Sequence, residues 1–325
     1  MYTFNTFVGR KAIEIKMDKK ELLKHIGSIE QIGGIKDYTI NDGKAKGVRA
    51  IDINTGVMRF TIIPDRCLDI AQADFKGSAI SWISKTGITA PEYYEKDGRN
   101  FLRGFFGGLV TTCGLKNIGR PTETQGLHGR IANTPAKNVC VWAGWEGDDY
   151  VMKVSGEMRE CSAFGENLVL KRTISAKLFD ATLVLEDKII NEGFKDEDIA
   201  LCYHCNFGYP LVSEKSRITN IPEELASIDA PSLDAKEQCI EVDLPGDTVT
   251  VGIENEKIGA YLTYKTKTLP RFIAWKMLSV GAYAVGLEPR TSNFGGENIA
   301  KNNEFVTLKP FEEYETGFSL TIKDL

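Results

Sequence analysis

The run Ala181-Thr182-Leu183-Val184-Leu185-Glu186-Asp187-Lys188-Ile189-Ile190-Asn191 decides how this chain is read. Thr182, Val184, Glu186, Lys188 and Ile190 fall on one side of an extended backbone, and Leu183, Leu185, Asp187 and Ile189 on the other. That is the pattern of a strand in a half-buried sheet. The same texture continues in both directions: residues 47–53, 57–63, 140–144, 150–156, 168–176, 248–254, 259–264, 272–277, 282–288 and 315–322 are enriched in β-branched and aromatic residues. Several alternate, and Gly, Asn, Asp and Pro separate them. One helix stands out, over residues 18–27, with Asp18 as cap, Glu21 three positions on and Gly27 as stop. Leu22, Leu23 and Ile26 supply its apolar face, which leaves His25 at the rim near its C-terminus. The chain therefore reads as all-β with few short helices. No linker, repeat or low-complexity tract divides it, so residues 1–325 are expected to form a single unit.

Composition narrows the partners. A formal net charge of −5 and a sequence pI near 5.5 argue against a phosphate-neutralising surface, so nucleic acid is not an expected partner. No apolar run approaches the roughly 20 residues of a membrane helix, and residues 1–10 read as an early strand, not a signal peptide. The seven cysteines are odd in number and sit among apolar residues, as reduced thiols in a core do. A soluble cytoplasmic protein is the expectation. Cys202 and Cys205 form a C-x-x-C, but no second such pair supplies the four ligands of a structural zinc site. Residues 222–238 are polar and turn-rich and read as an insertion between strands. Glycines cluster at 104–108, 113–114 and 293–296, without the spacing of a phosphate-binding loop, so no nucleotide cofactor is indicated.

Three motifs carry candidate chemistry: Gly126-Leu127-His128-Gly129-Arg130, Cys202-Tyr203-His204-Cys205-Asn206-Phe207-Gly208 and Val285-Gly286-Leu287-Glu288-Pro289-Arg290. Only three histidines exist, and two lie in these motifs. Imidazole donates and accepts protons near neutrality, so His204 and Glu288 are the candidate acid and base. On opposite sides of one small molecule they would open and reclose a cyclic hemiacetal. An ionised Glu288 would take the anomeric proton, His204 would give one to the ring oxygen, and His128 would hold a ring or anomeric oxygen. The reaction needs no metal, nucleotide or covalent intermediate. Arg290 is the nearest charge to Glu288 in sequence and either pairs it or joins the site. Arg66 is a candidate clamp for sugar hydroxyls or an anionic group, or a mere neighbour of Asp65 and Asp69. Of Trp82, Trp142, Trp145 and Trp275, Trp275 is the candidate sugar platform, because it lies in the strand preceding Glu288.

In this order the motifs resemble those of the aldose 1-epimerases, or galactose mutarotases. Asp187-Lys188-Ile189-Ile190-Asn191-Glu192-Gly193 followed by Tyr203 to Gly208 is similar to the segment carrying their acid, Leu287-Glu288-Pro289 to their base motif, and Leu127-His128-Gly129 to their first histidine motif. The resemblance implies their β-supersandwich fold and their cofactor-independent interconversion of sugar anomers. The chain departs from the best-characterised members: their Arg-bearing segment before the first histidine has no match, and Arg290-Thr291-Ser292 replaces the stretch after the base. Pro64-Asp65-Arg66-Cys67-Leu68-Asp69-Ile70 and Arg103-Gly104-Phe105-Phe106-Gly107-Gly108-Leu109 mark a divergent branch. Three classes stay open from the residues: an anomer-interconverting enzyme acting on a neutral or acidic sugar, a non-catalytic carbohydrate-binding protein, and a metal-dependent sugar isomerase with His128, His204 and Glu288 as ligands.

Overall fold

The alternating run from Ala181 to Asn191 is a strand over Thr182–Asn191, and its alternation is the observed one: Leu183, Leu185, Asp187 and Ile189 are buried while Glu186 is exposed. In the computed structural model, residues 2–7, 12–292 and 305–325 are described. The glycine cluster at 293–296 and part of the early strand at 1–10 lie outside them, although Tyr2–Phe7 does pair with Ala12–Met17. All eleven strand-like runs are strands. The chain also forms strands at Asp69–Phe75, Thr111–Leu115 and Glu197–Gly208, where buried Gly, Cys, Ala or His dilute the β-branched signal, and at Gly34–Thr39, whose Lys36, Asp37 and Tyr38 are exposed.

Three antiparallel sheets dominate. The largest has eight strands, with Thr182–Asn191 in its middle between Asn167–Lys177 and Glu313–Asp324. A second places Gln238–Glu241, Arg271–Ser279, Ala282–Arg290 and Glu197–Gly208 side by side, and Thr111–Leu115 pairs with the last of these. The third has five strands between Gly34 and Ala79. One apolar cluster joins them: Ile51, Phe60, Leu170, Leu185, Phe207, Leu262 and Leu287 all belong to it. Asp18 caps the Lys19–His25 helix by accepting from the Glu21 backbone N–H at 2.7 Å, and His25 is exposed against Glu21. Among the described residues, no helix is long and apolar enough to cross a membrane.

The second sheet is buried on both faces, and this creates the site. On Glu197–Gly208 the residues Leu201, Tyr203, Cys205 and Phe207 enter the main core, while Cys202, His204 and Asn206 point the other way. Loops from the first half of the chain cover that second face with Phe101, Phe105, Leu127 and Ala132. Cys202 and Cys205 thus face opposite sides of a strand and cannot share a metal ion. The cysteines are all free, but only Cys67, Cys113, Cys202 and Cys205 are buried. Cys140, Cys161 and Cys239 are exposed, which corrects the expectation that apolar neighbours keep every thiol in the core.

Candidate functional site

Register brings the candidate acid and base together. Cys205 pairs with Leu287 and Cys202 with Arg290, so His204 stands directly opposite Glu288 on the neighbouring strand. Their side chains share the loop-covered face, and His204 Nε2 lies 3.2 Å from Glu288 Oε1. Both are buried, at 4% and 5% exposure. This corrects one expectation from sequence: the two groups do not flank a gap that a sugar could fill. They are side by side, because directly opposed residues of an antiparallel pair have no room between them for a ring.

The surroundings set their charge. Burial pushes the His204 pKa down to about 4, and the positive charge of Arg290 adds to the effect. Burial raises the Glu288 carboxyl above its usual range, with Arg290 and His128 partly offsetting it. Both shifts favour the uncharged forms, since a desolvated ion loses its hydration. His204 is therefore neutral near pH 7, and the Glu288 carboxyl is shifted toward its protonated form. Cys202 Sγ lies 3.6 Å from Glu288 Oε2, and the Asn206 amide donates to the His204 carbonyl at 2.9 Å. No full hydrogen bond reaches His204 Nδ1 or the Asn206 side-chain oxygen.

His128 completes the polar floor. Its backbone is left-handed, φ 62°, a conformation unusual for a residue with a Cβ and often found at functional sites. Gly129 follows at φ 70°, and a Cβ there would sit 2.3 Å from the Gly114 carbonyl oxygen, so only glycine permits this turn. The turn brings the His128 ring edge-on to His204, centroids 5.8 Å apart. His128 Nδ1 lies 3.3 Å from the Ile118 carbonyl, which can only accept, so the N–H is on Nδ1 and Nε2 is left as an acceptor. Burial brings the His128 pKa down to about 4 as well.

Aromatic rings form the walls. Trp275 meets the His204 ring at 5.1 Å between centroids and donates its indole N–H to Glu237 at 3.0 Å. Phe105 packs edge-on to His204, Phe101 to His128, and Trp82 bridges Phe105 and Trp275. Sequence reasoning chose Trp275 but passed over Trp82, Phe101 and Phe105. The glycine cluster at 104–108 was the signal for them, since Gly107 lets the backbone lie against the Trp82 ring, 2.6 Å from where a Cβ would be. Glu237, from the segment read as an insertion, was missed too.

Arg66 is not part of the site, which corrects its reading as a clamp. It follows its strand in a short turn, is 1% exposed, and donates to the carbonyls of Ala132, Thr89 and Gly104 and to the Thr89 hydroxyl at 2.8–3.1 Å. It ties together the loops that cover the site. Arg290 is in the site: its Nη1 lies 3.5 Å from Glu288 Oε2. Among the described residues, no group of three or more His, Cys, Asp or Glu side chains is arranged to hold a metal ion.

The family model described as a domain of unknown function (DUF4432) matches residues 45–322. No curated protein matches the sequence. Among solved structures, a candidate aldose 1-epimerase from Klebsiella pneumoniae subsp. pneumoniae superposes with TM-score 0.82 at 21% identity, covering 89% of this chain and 83% of the other. A galactose mutarotase-like protein from Clostridium acetobutylicum gives 0.64 at 14% identity, covering 91% and 100%. Galactose 1-epimerase from Lactobacillus acidophilus NCFM gives 0.59 at 12% identity, covering 90% and 99%. At these identities the likeness is one of fold, and the fold is the mutarotase-like β-sandwich, in a divergent branch.

Proposed function

Since the chain belongs to the DUF4432 family and folds as a mutarotase-like sandwich, we propose that it is an isomerase that interconverts sugar anomers by general acid and base catalysis. The observation that carries this reading is the contact of His204 with Glu288 at 3.2 Å, under an aromatic cover. A hemiacetal carries its ring oxygen and its anomeric hydroxyl on one carbon. The two oxygens are thus neighbours, and an acid and a base that are themselves neighbours match them better than groups on opposite sides of the ring.

In this reading the pair acts from its uncharged form, which holds one transferable proton. Glu288 gives it to the ring oxygen while His204 Nε2 takes the proton of the anomeric hydroxyl, and the ring opens to the aldehyde. The pair is now carboxylate and imidazolium with its proton count unchanged. Rotation about the bond beside the carbonyl presents the other face, and reclosure runs the transfers backwards with Glu288 as base and His204 as acid. Each residue acts in both senses, and each contributes roughly 10²- to 10⁴-fold. His128 Nε2 accepts from a sugar hydroxyl, Trp275 and Phe105 cover the apolar side of the ring, and no cofactor takes part. Seven free thiols fit a reducing, cytoplasmic setting.

The test is exchange between anomers, followed by NMR saturation transfer or by polarimetry from pure anomers across a panel of aldoses and sugar acids. Acceleration over buffer is expected for at least one. Tight binding of a sugar with no acceleration would replace the enzyme by a carbohydrate-binding protein.

A further inference from the structure

Three guanidinium groups are buried among the described residues, and they are not bonded alike. Arg66 makes four hydrogen bonds of 2.8–3.1 Å. Arg172 makes four of 2.7–3.0 Å, two of them a fork onto the carboxylate of Asp187. Arg290 is 4% exposed, yet its contacts are 3.5 Å to Glu288 and 3.4 Å to the Ile118 carbonyl, and its Nε has no partner. Charge-assisted bonds between guanidinium and carboxylate run nearer 2.7–2.9 Å, so Glu288 holds Arg290 only loosely. Glu288 instead places its other oxygen on His204.

A buried cation left this loosely held is costly unless an anion arrives to meet it. The free Nε and the neighbouring Nη of Arg290 form the planar fork that a carboxylate fits with two parallel bonds. Resting on the anomer-interconverting reading above, we propose that the substrate is a sugar acid whose carboxylate is held by Arg290, while its hemiacetal carbon lies over His204 and Glu288.

The experiment uses the full chain and pairs of sugars that differ only in the acid: galacturonate with galactose, and glucuronate with glucose, with the 6-phosphates as a third arm. Calorimetry measures affinity, and NMR saturation transfer measures anomer exchange, at low and high sodium chloride. One hexuronate should bind about 10- to 100-fold tighter than its neutral parent, as a buried charged hydrogen-bond pair gives, and more weakly in salt. Arg290→Gln should erase that preference, and Arg290→Lys, which keeps the charge but not the fork, should retain only part of it. Equal affinity for acid and parent in the wild type overturns the proposal, as does a folded Arg290→Gln that keeps the preference. A stronger preference for a 6-phosphate overturns the carboxylate assignment. The wild-type comparison stands even if neither variant folds. Equal acceleration of acid and neutral sugars defeats this inference and leaves the isomerase reading intact; preferential hexuronate binding without acceleration does the reverse.

Discussion

A carboxyl and an imidazole that trade one proton can work only while the pair holds one to trade. Replacing Glu288 by Gln keeps the shape and the hydroxyl contacts but removes the exchangeable proton, so anomer exchange should fall by about 10²- to 10⁴-fold with sugar affinity largely kept. His204→Asn should act likewise, and both are read by saturation transfer beside a binding isotherm. The same logic fixes the acidic limb of the rate profile. Below about pH 4 His204 takes a second proton, the pair can no longer accept, and the rate should fall as pH is lowered through that value. Stability follows in the same direction. The His204 and His128 pKa values are lowered to about 4 from an ordinary 6.5, so between these values the unfolded chain binds more protons than the folded one. Their contribution is complete above pH 6.5 and is lost as pH falls through 4. Urea midpoints across that window should drop less steeply in His204→Asn than in the wild type, and equal slopes would contradict the placement of a neutral His204 in the core.

At the scale of the strand, precision comes from one glycine. Gly286 sits between Trp275 and Asn206 in the cross-strand row, and a Cβ there would meet Trp275 at 3.1 Å and His204 Cε1 at 3.2 Å. Gly286→Ala should leave the sheet paired but push the Trp275 and His204 rings by a few tenths of an ångström. The expected result is kcat lowered by roughly tenfold with little change in thermal midpoint, because catalysis is more sensitive to placement than folding is. How much of this was legible depends on which force writes the pattern. Period-two alternation recorded the strands, and it put Asp187 on an apolar face, where it is. It could not record that Leu201 to Phe207 is buried on both faces, since a strand so placed shows no alternation. The His and Glu motifs marked the candidate groups. Register gave their adjacency, and register depends on bulges and loop lengths that no single segment contains. Arg66 was misread for a related reason: a guanidinium that binds carbonyls of residues 89, 104 and 132 looks in sequence like one reserved for a ligand.

Across the whole molecule, one polar network joins the three sheets through the core. Arg172 makes a two-pronged bond to Asp187 within the eight-stranded sheet, at 2.8 and 2.7 Å, and reaches Asp69 of the five-stranded sheet at 2.9 Å. Tyr203, on the strand that carries His204, donates to Asp187 at 2.8 Å, and Thr112 gives Asp69 both its hydroxyl and its backbone N–H. The Arg172, Asp69 and Asp187 side chains are fully buried. A pair of this kind adds little over an apolar core, yet removing one member leaves a charge with no partner. Arg172→Leu strands two carboxylates, and a loss of about 3–5 kcal/mol is expected in urea unfolding. The strand that carries His204 should feel the same change through position, because Tyr203 and His204 are adjacent and the network fixes the sheet face opposite the site. If Arg172→Leu still folds, its kcat should fall while the acidic limb near pH 4 stays where it is, since His204 and its neighbours are untouched. A variant that lost stability but kept the full rate would show that the loops covering the site, not the sheet beneath it, hold His204 against Glu288.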